Sequence, residues 1–101
     1  MASRLLLQSI LENILGSDHV YFQPPATITM IYPCIVYERS DIDTKFASNN
    51  PYSLKNGYTV TMIDRNPDSL IPNRIAMLES CIFRTHYTKD NLNHDVFILY
   101  F

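Results

Sequence analysis

Glycine is scarce in this sequence, with Gly 2 among 101 residues. Gly16 is placed to end a helix and Gly57 follows Asn56 in a turn signal, so no glycine-rich loop is left to cradle a phosphate. Cysteine is equally sparse. Cys34 and Cys81 each stand inside a strand-like apolar run and read as buried, reduced thiols of a cytoplasmic product, not as a disulfide framework. No signal peptide is expected: Arg4 is the single basic residue before Leu5, Leu6 and Leu7, and Gln8, Ser9, Glu12 and Asn13 then interrupt any apolar core. No apolar run approaches the ~18 residues of a membrane-spanning helix. An excess of one charge is also lacking. Lys+Arg 8 against Asp+Glu 10 gives a net charge of -2, without the basic face of a general nucleic-acid binder.

What is present is apolar and aromatic. At 47% hydrophobic the chain is too apolar for disorder, and its length suits a single domain spanning 1–101. A domain this small has thin stability unless disulfides, metals or oligomerisation add to it. With the first two set aside, oligomerisation remains, and Tyr 7 with Phe 5 fit either an interface or a β-rich core.

The pattern along the chain predicts helix, short strand, strand, long loop, strand, helix, strand, strand. Leu7, Ile10, Leu11 and Ile14 fall at helical spacing between Ala2 and Leu15, with Ser3 as the starting cap and Gly16 as the stop. His19–Gln23 reads as a short extended piece ended by Pro24-Pro25, and Thr27–Tyr32 as strand or extended loop. Cys34–Arg39 is a strand with Ile35 and Tyr37 on one face and Val36 on the other. Tyr58–Asp64 is the clearest strand, since Tyr58, Val60 and Met62 alternate with Thr59, Thr61 and Ile63. A second helix, capped by Asp68 or Ser69, tolerates Pro72 in its first turn and carries Ile71, Ile75 and Leu78. Ile82–Tyr87 and Asp95–Phe101 make a hairpin around Lys89–Asn93. The run VFILYF is apolar on both faces and so should be central and covered on both sides. This order predicts an α+β fold: a small mixed or antiparallel sheet of four to five strands, two helices on one face, and a long inter-strand loop.

That loop, Ser40–Gly57, is polar yet holds Phe46 and Tyr52. Loops this long are uncommon in small domains unless functional or disordered. It reads as a hairpin or arm that packs against something else, or else as one whose rings fold back onto their own core. Loop character makes Lys45, Phe46, Asn49, Asn50, Tyr52 and Lys55 the first candidates for a protein interface. The turn at Arg65 and Asn66 and the hairpin tip at Lys89, Asp90 and Asn91 come second.

Catalytic chemistry finds little support. His86 and His94 flank the hairpin, with Asp95, Asp90 or Cys81 as further candidates for a metal site or base pair, but no known ligand spacing is matched. Exposed hairpin histidines are the simpler expectation. Asp41 with Asp43, and Glu38 with Asp64, read as solvated strand ends. No nucleophile elbow surrounds any Ser or Cys. Lys45, Lys55, Arg65, Arg84 and Lys89 lie near Tyr52, Tyr58 and Tyr87, a basic-aromatic mixture that single strands favour, but acidic residues interleave with them. The expectation is a non-enzyme with no catalytic residue, metal or cofactor.

The segments VYFQPP, YPCIVYERSDID, NNPYSLKNGYTVTMIDRNPDS and HYTKDNLNHDVFILYF, spread from Val20 to Phe101, resemble the tail terminator (tail completion) subunits of long-tailed bacteriophages. The resemblance implies a structural virion protein of the neck that forms a homohexameric ring on the head-proximal end of the tail tube. The ring would end tail polymerisation and offer a docking face to the head–tail connector or head-completion protein. Its implied partners are its own copies, the tail tube protein and that connector. Genome DNA would pass through the lumen without sequence-specific binding, no membrane is involved, and assembly would occur in the bacterial cytoplasm. A head-closure or connector adaptor of the same neck, or a monomeric protein-binding adaptor, are the alternatives.

Overall fold

The computed structural model describes residues 4–25, 29–47 and 50–101, and of 41–47 and 50–55 the backbone alone. Its elements are α1 (Arg4–Leu15), β1 (Val20–Phe22), β2 (Cys34–Ala47), β3 (Asn50–Asp64), α2 (Ile71–Ala76), β4 (Cys81–Lys89) and β5 (Leu92–Tyr100). The strands form one five-stranded sheet in the order β1-β2-β3-β5-β4. β1 runs parallel to β2, and every other neighbouring pair is antiparallel. The fold is therefore α+β with a mixed sheet and two helices, as the element order predicts.

Alternation along each strand sorts the side chains onto two faces. The register aligns Phe22, Tyr37, Val60, Phe97 and Phe83 in one row across the sheet, with Ile35 and Met62 in the next. Leu7 and Leu11 of α1 and Ile75 of α2 close over these rows in one buried cluster. Gly16, at φ +82, ends α1 by donating its N–H to the Glu12 carbonyl at 2.8 Å. The expected cap Ser3 lies outside the described residues.

A polar strap pins α1 to the sheet. The Tyr37 hydroxyl donates to Gln8 Oε1 and accepts from Arg4 at 3.2 Å. Gln8 Nε2 donates to the Val20 carbonyl at 2.9 Å, and the Arg4 guanidinium sits 4.4 Å above the Phe22 ring. Burial pushes the Tyr37 phenol above its ordinary pKa, opposed by Arg4, so the hydroxyl stays protonated and able to donate. Tyr37→Phe keeps the ring and strands Gln8 Oε1. We expect a loss of about 1–2 kcal/mol, read as a lower urea midpoint with an unchanged slope.

Four expectations need correction. Gly57 is not in a turn: it lies buried within β3, paired with Asp41 and Tyr100, opposite the register shift between Arg39 and Asp41. The polar composition around it belongs to strands that run past the rest of the sheet. The second helix is shorter than its apolar spacing suggests. Leu70 caps it without a side-chain bond, because the Asp64 and Asn66 side chains organise the preceding turn, each accepting an N–H at 3.0 Å. Ser69 Oγ does accept the Ile71 N–H at 3.3 Å, and Leu78 packs on the core from beyond the helix. The hairpin turn contracts to Asp90-Asn91, at φ 54 and 62, the left-handed pair of a type I′ turn, so β5 starts at Leu92. β5 is interior, as expected, but only one of its faces lies under the helices. Phe97 and Leu99 are buried there, while on the other face Val96 is also buried and Ile98 and Tyr100 are half-buried. As for Thr27–Tyr32, the described part, 29–32, is not strand, and 26–28 lie outside the described residues.

Candidate protein interface

The residues singled out as interface candidates fall at opposite ends of the sheet. β2 and β3 continue beyond β1 and β5 as a two-stranded ribbon, paired from Asp41↔Gly57 to Ala47↔Asn50. Within it the backbone sets Phe46 against Pro51, Lys45 against Ser53, and Asp43 against Lys55. Lys45, Phe46, Asn50 and Tyr52 therefore share the outer part of the ribbon, with Lys55 nearer the sheet. Their side chains, and Asn49 altogether, lie outside what is described.

At the other end, β3 stops at Asp64, which pairs with Asn93 just after the hairpin tip. Asn93 Nδ2 donates to the carbonyls of Asp64 at 3.3 Å and Arg65 at 3.4 Å. These bonds bring exposed Arg65 and Asn66 to the same end as exposed Lys89, Asp90 and Asn91. The two second-choice clusters form one surface, and the ribbon is the opposite pole.

Sequence reasoning missed a third surface, the outer edge of the sheet at β4. Every residue from Ile82 to Lys89 is exposed, including Ile82 at 62%, Phe83 at 52% and Tyr87 at 46%. Leu70 and Met77, flanking α2, are also exposed. The two-residue turn makes Lys89↔Leu92, and then every second pair, hydrogen-bonded, so the N–H and C=O groups of Thr88 and His86 point away from β5. The available signal was the mixed composition of IFRTHYTK, apolar and polar on both faces of one strand. That a strand is an edge, however, depends on the sheet order.

The histidines diverge. His86 Nδ1 lies 2.8 Å from Asp95 Oδ1 on the helix-covered face. His94 sits on the other face, stacked on Tyr87 with ring centroids 4.5 Å apart. Neighbouring residues of β5 point to opposite faces, so His86 and His94 do not meet. Among the described residues no group of three or more His, Cys, Asp and Glu is placed to hold a metal. Neither thiol is primed as a nucleophile. Burial, aided by the Asp64 charge, pushes the Cys34 thiol up to about 11, and burial also raises that of Cys81.

No protein-family model matches the chain, and no curated relative matches it.

Proposed function

We propose that this chain is a structural subunit of a long-tailed phage neck, a tail terminator that assembles with its own copies into a ring on the head-proximal end of the tail tube. It works by contact and not by catalysis. The ring stops tube growth and gives the head connector a face to dock on. Support comes first from the resemblance of the segments between Val20 and Phe101.

The observation that carries the reading is the β4 edge, which presents Ile82, Phe83 and Tyr87 to solvent. A monomer normally blunts such an edge with proline, inward charge or a covering loop. At the end of the sheet opposite the hairpin tip, the β2–β3 ribbon offers a second contact element reaching past the body of the domain.

Native mass spectrometry of the purified chain, alone and with tail tube protein, tests the proposal. A closed ring mass is expected, and a chain that stays monomeric in both samples would sink it. The ribbon is tested separately by the double substitution Phe46→Ser and Tyr52→Ser. We expect sedimentation to show assembly weakened by at least about tenfold, equivalent to roughly 1.4 kcal/mol, with an unchanged circular dichroism spectrum. A variant that unfolds outright would instead place those rings in the subunit's own core.

A further inference from the structure

We propose that the free edge of β4 pairs, antiparallel, with the uncovered outer edge of β2 in a second copy of this chain, so that one sheet continues into the next. This rests on the self-assembling reading above and specifies its seam. Both edges are visible in the topology. At one margin, β4 is nine residues long, contains no proline, and turns the amides of His86 and Thr88 outward. At the other margin, β1 covers β2 only from Ile35 to Tyr37. Gln23, at φ 45, then turns the chain away, its Oε1 accepting the Arg39 N–H at 3.3 Å. Among the described residues no strand pairs with the outer side of β2 from there to Ala47.

The direction, charge and length of the two edges agree. β2 and β5 both run antiparallel to β3, and β4 runs antiparallel to β5, so β4 also runs antiparallel to β2. Two copies kept in the same orientation and set side by side therefore meet as antiparallel strands. The two edges lie on opposite margins of the sheet, so each subunit offers one of each. Such a head-to-tail contact builds a ring when its rotation closes. β4 contains Arg84 and Lys89 and no acidic residue, whereas the uncovered stretch of β2 carries Glu38, Asp41 and Asp43 against Arg39 and Lys45. Lys89 shares the face of Tyr87, away from the helices, and Glu38 lies on that face opposite Thr59. A register that sets Lys89 against Glu38 joins unlike charges on one face, while β4 against β4 would oppose like charges. It brings the Asp90-Asn91 tip up to Phe22 at the end of β1, and the Thr88 carbonyl then replaces Gln23 Oε1 on the Arg39 N–H. At about 3.4 Å per residue, β4 supplies roughly 30 Å of ladder, and the open stretch of β2 matches it.

Two measurements test the seam. Glu38→Cys and Lys89→Cys are prepared separately and oxidised alone and mixed. We expect the mixed sample to form disulfide dimers about tenfold faster than either alone, because pairing holds the two sulfurs together. A dimer formed at least as fast by Lys89→Cys alone would overturn the seam in favour of a two-fold β4 contact. No preference in any sample would overturn it and leave the edge to a foreign strand. Thr88→Pro removes an outward N–H without touching the ladder to β5, a position where an edge strand accepts proline. It should keep the circular dichroism of the parent and lose assembly, whereas Tyr87→Pro, whose N–H bonds β5, should disrupt the hairpin. A folded Thr88→Pro that assembles like the parent overturns the seam while the ring reading stands. Preferential mixed cross-linking in a parent whose native mass is an open chain supports the seam and removes the ring.

Discussion

Phe97→Ala should lower the unfolding free energy by about 3–5 kcal/mol, the range for deleting a buried ring. Phe97 is 1% exposed at the centre of the sheet. It pairs across strands with Val60 and Phe83, and meets the Phe83 ring edge-on at 5.6 Å between centroids. Both helices contribute to the same cluster, through Leu7, Leu11 and Ile75. Truncation removes burial and leaves a void between helix and sheet layers that neither can fill without losing its own contacts. In a domain whose whole stability is about 5–15 kcal/mol, such a loss leaves little folded reserve. Phe83→Ala is the internal comparison. Its ring is half exposed and edge-packed, so we expect about 1 kcal/mol or less in the monomer. Urea unfolding of both variants checks the difference. Equal costs would mean that the helices do not seal the Phe97 side.

The second large effect is a loss of stability in alkali traceable to one thiol. Cys34 is fully buried, and burial first, then the Asp64 carboxylate, raises its pKa from 9.0 to about 11. The unfolded chain ionises this thiol at lower pH than the folded one, so between those values the folded state holds the extra proton. Stability must then fall as pH rises. The contribution is complete below about pH 9, is lost progressively above it, and is gone once pH passes about 11. A gap of that size corresponds to about 2–3 kcal/mol. Other groups titrate in the same window, so the measurement is the difference between the parent and Cys34→Ala in urea midpoints from pH 8 to 11. The parent should lose more stability across that range, and parallel curves would remove Cys34 as the cause. In the folded protein at neutral pH the same thiol should resist alkylation, reacting only as fast as the chain opens.

The three candidate surfaces were unequally legible in the sequence. The hairpin tip announces itself, because Asp90 and Asn91 are residues that tolerate the left-handed turn they adopt. The join between that tip and Arg65 does not, since it depends on Asp64 pairing with Asn93. The ribbon was legible as an anomaly, apolar rings in a polar stretch, but its polar residues concealed that β2 and β3 extend through it. The β4 edge was hidden altogether. Ile82, Phe83 and Tyr87 look like core residues in a list, and only the sheet order leaves them outside.

Local order was written in the chain itself: the stripe of Leu7 and Leu11, the stop at Gly16, the alternation of Tyr58, Val60 and Met62, and the α+β class. Each depends on residues a few positions apart, where backbone geometry and side-chain period act directly. The tertiary structure alone decided that β5 inserts between β3 and β4, that His86 and His94 face apart, and that β4 keeps an open side. Those outcomes turn on which strand pairs with which, and that choice is settled by packing between residues distant in the chain.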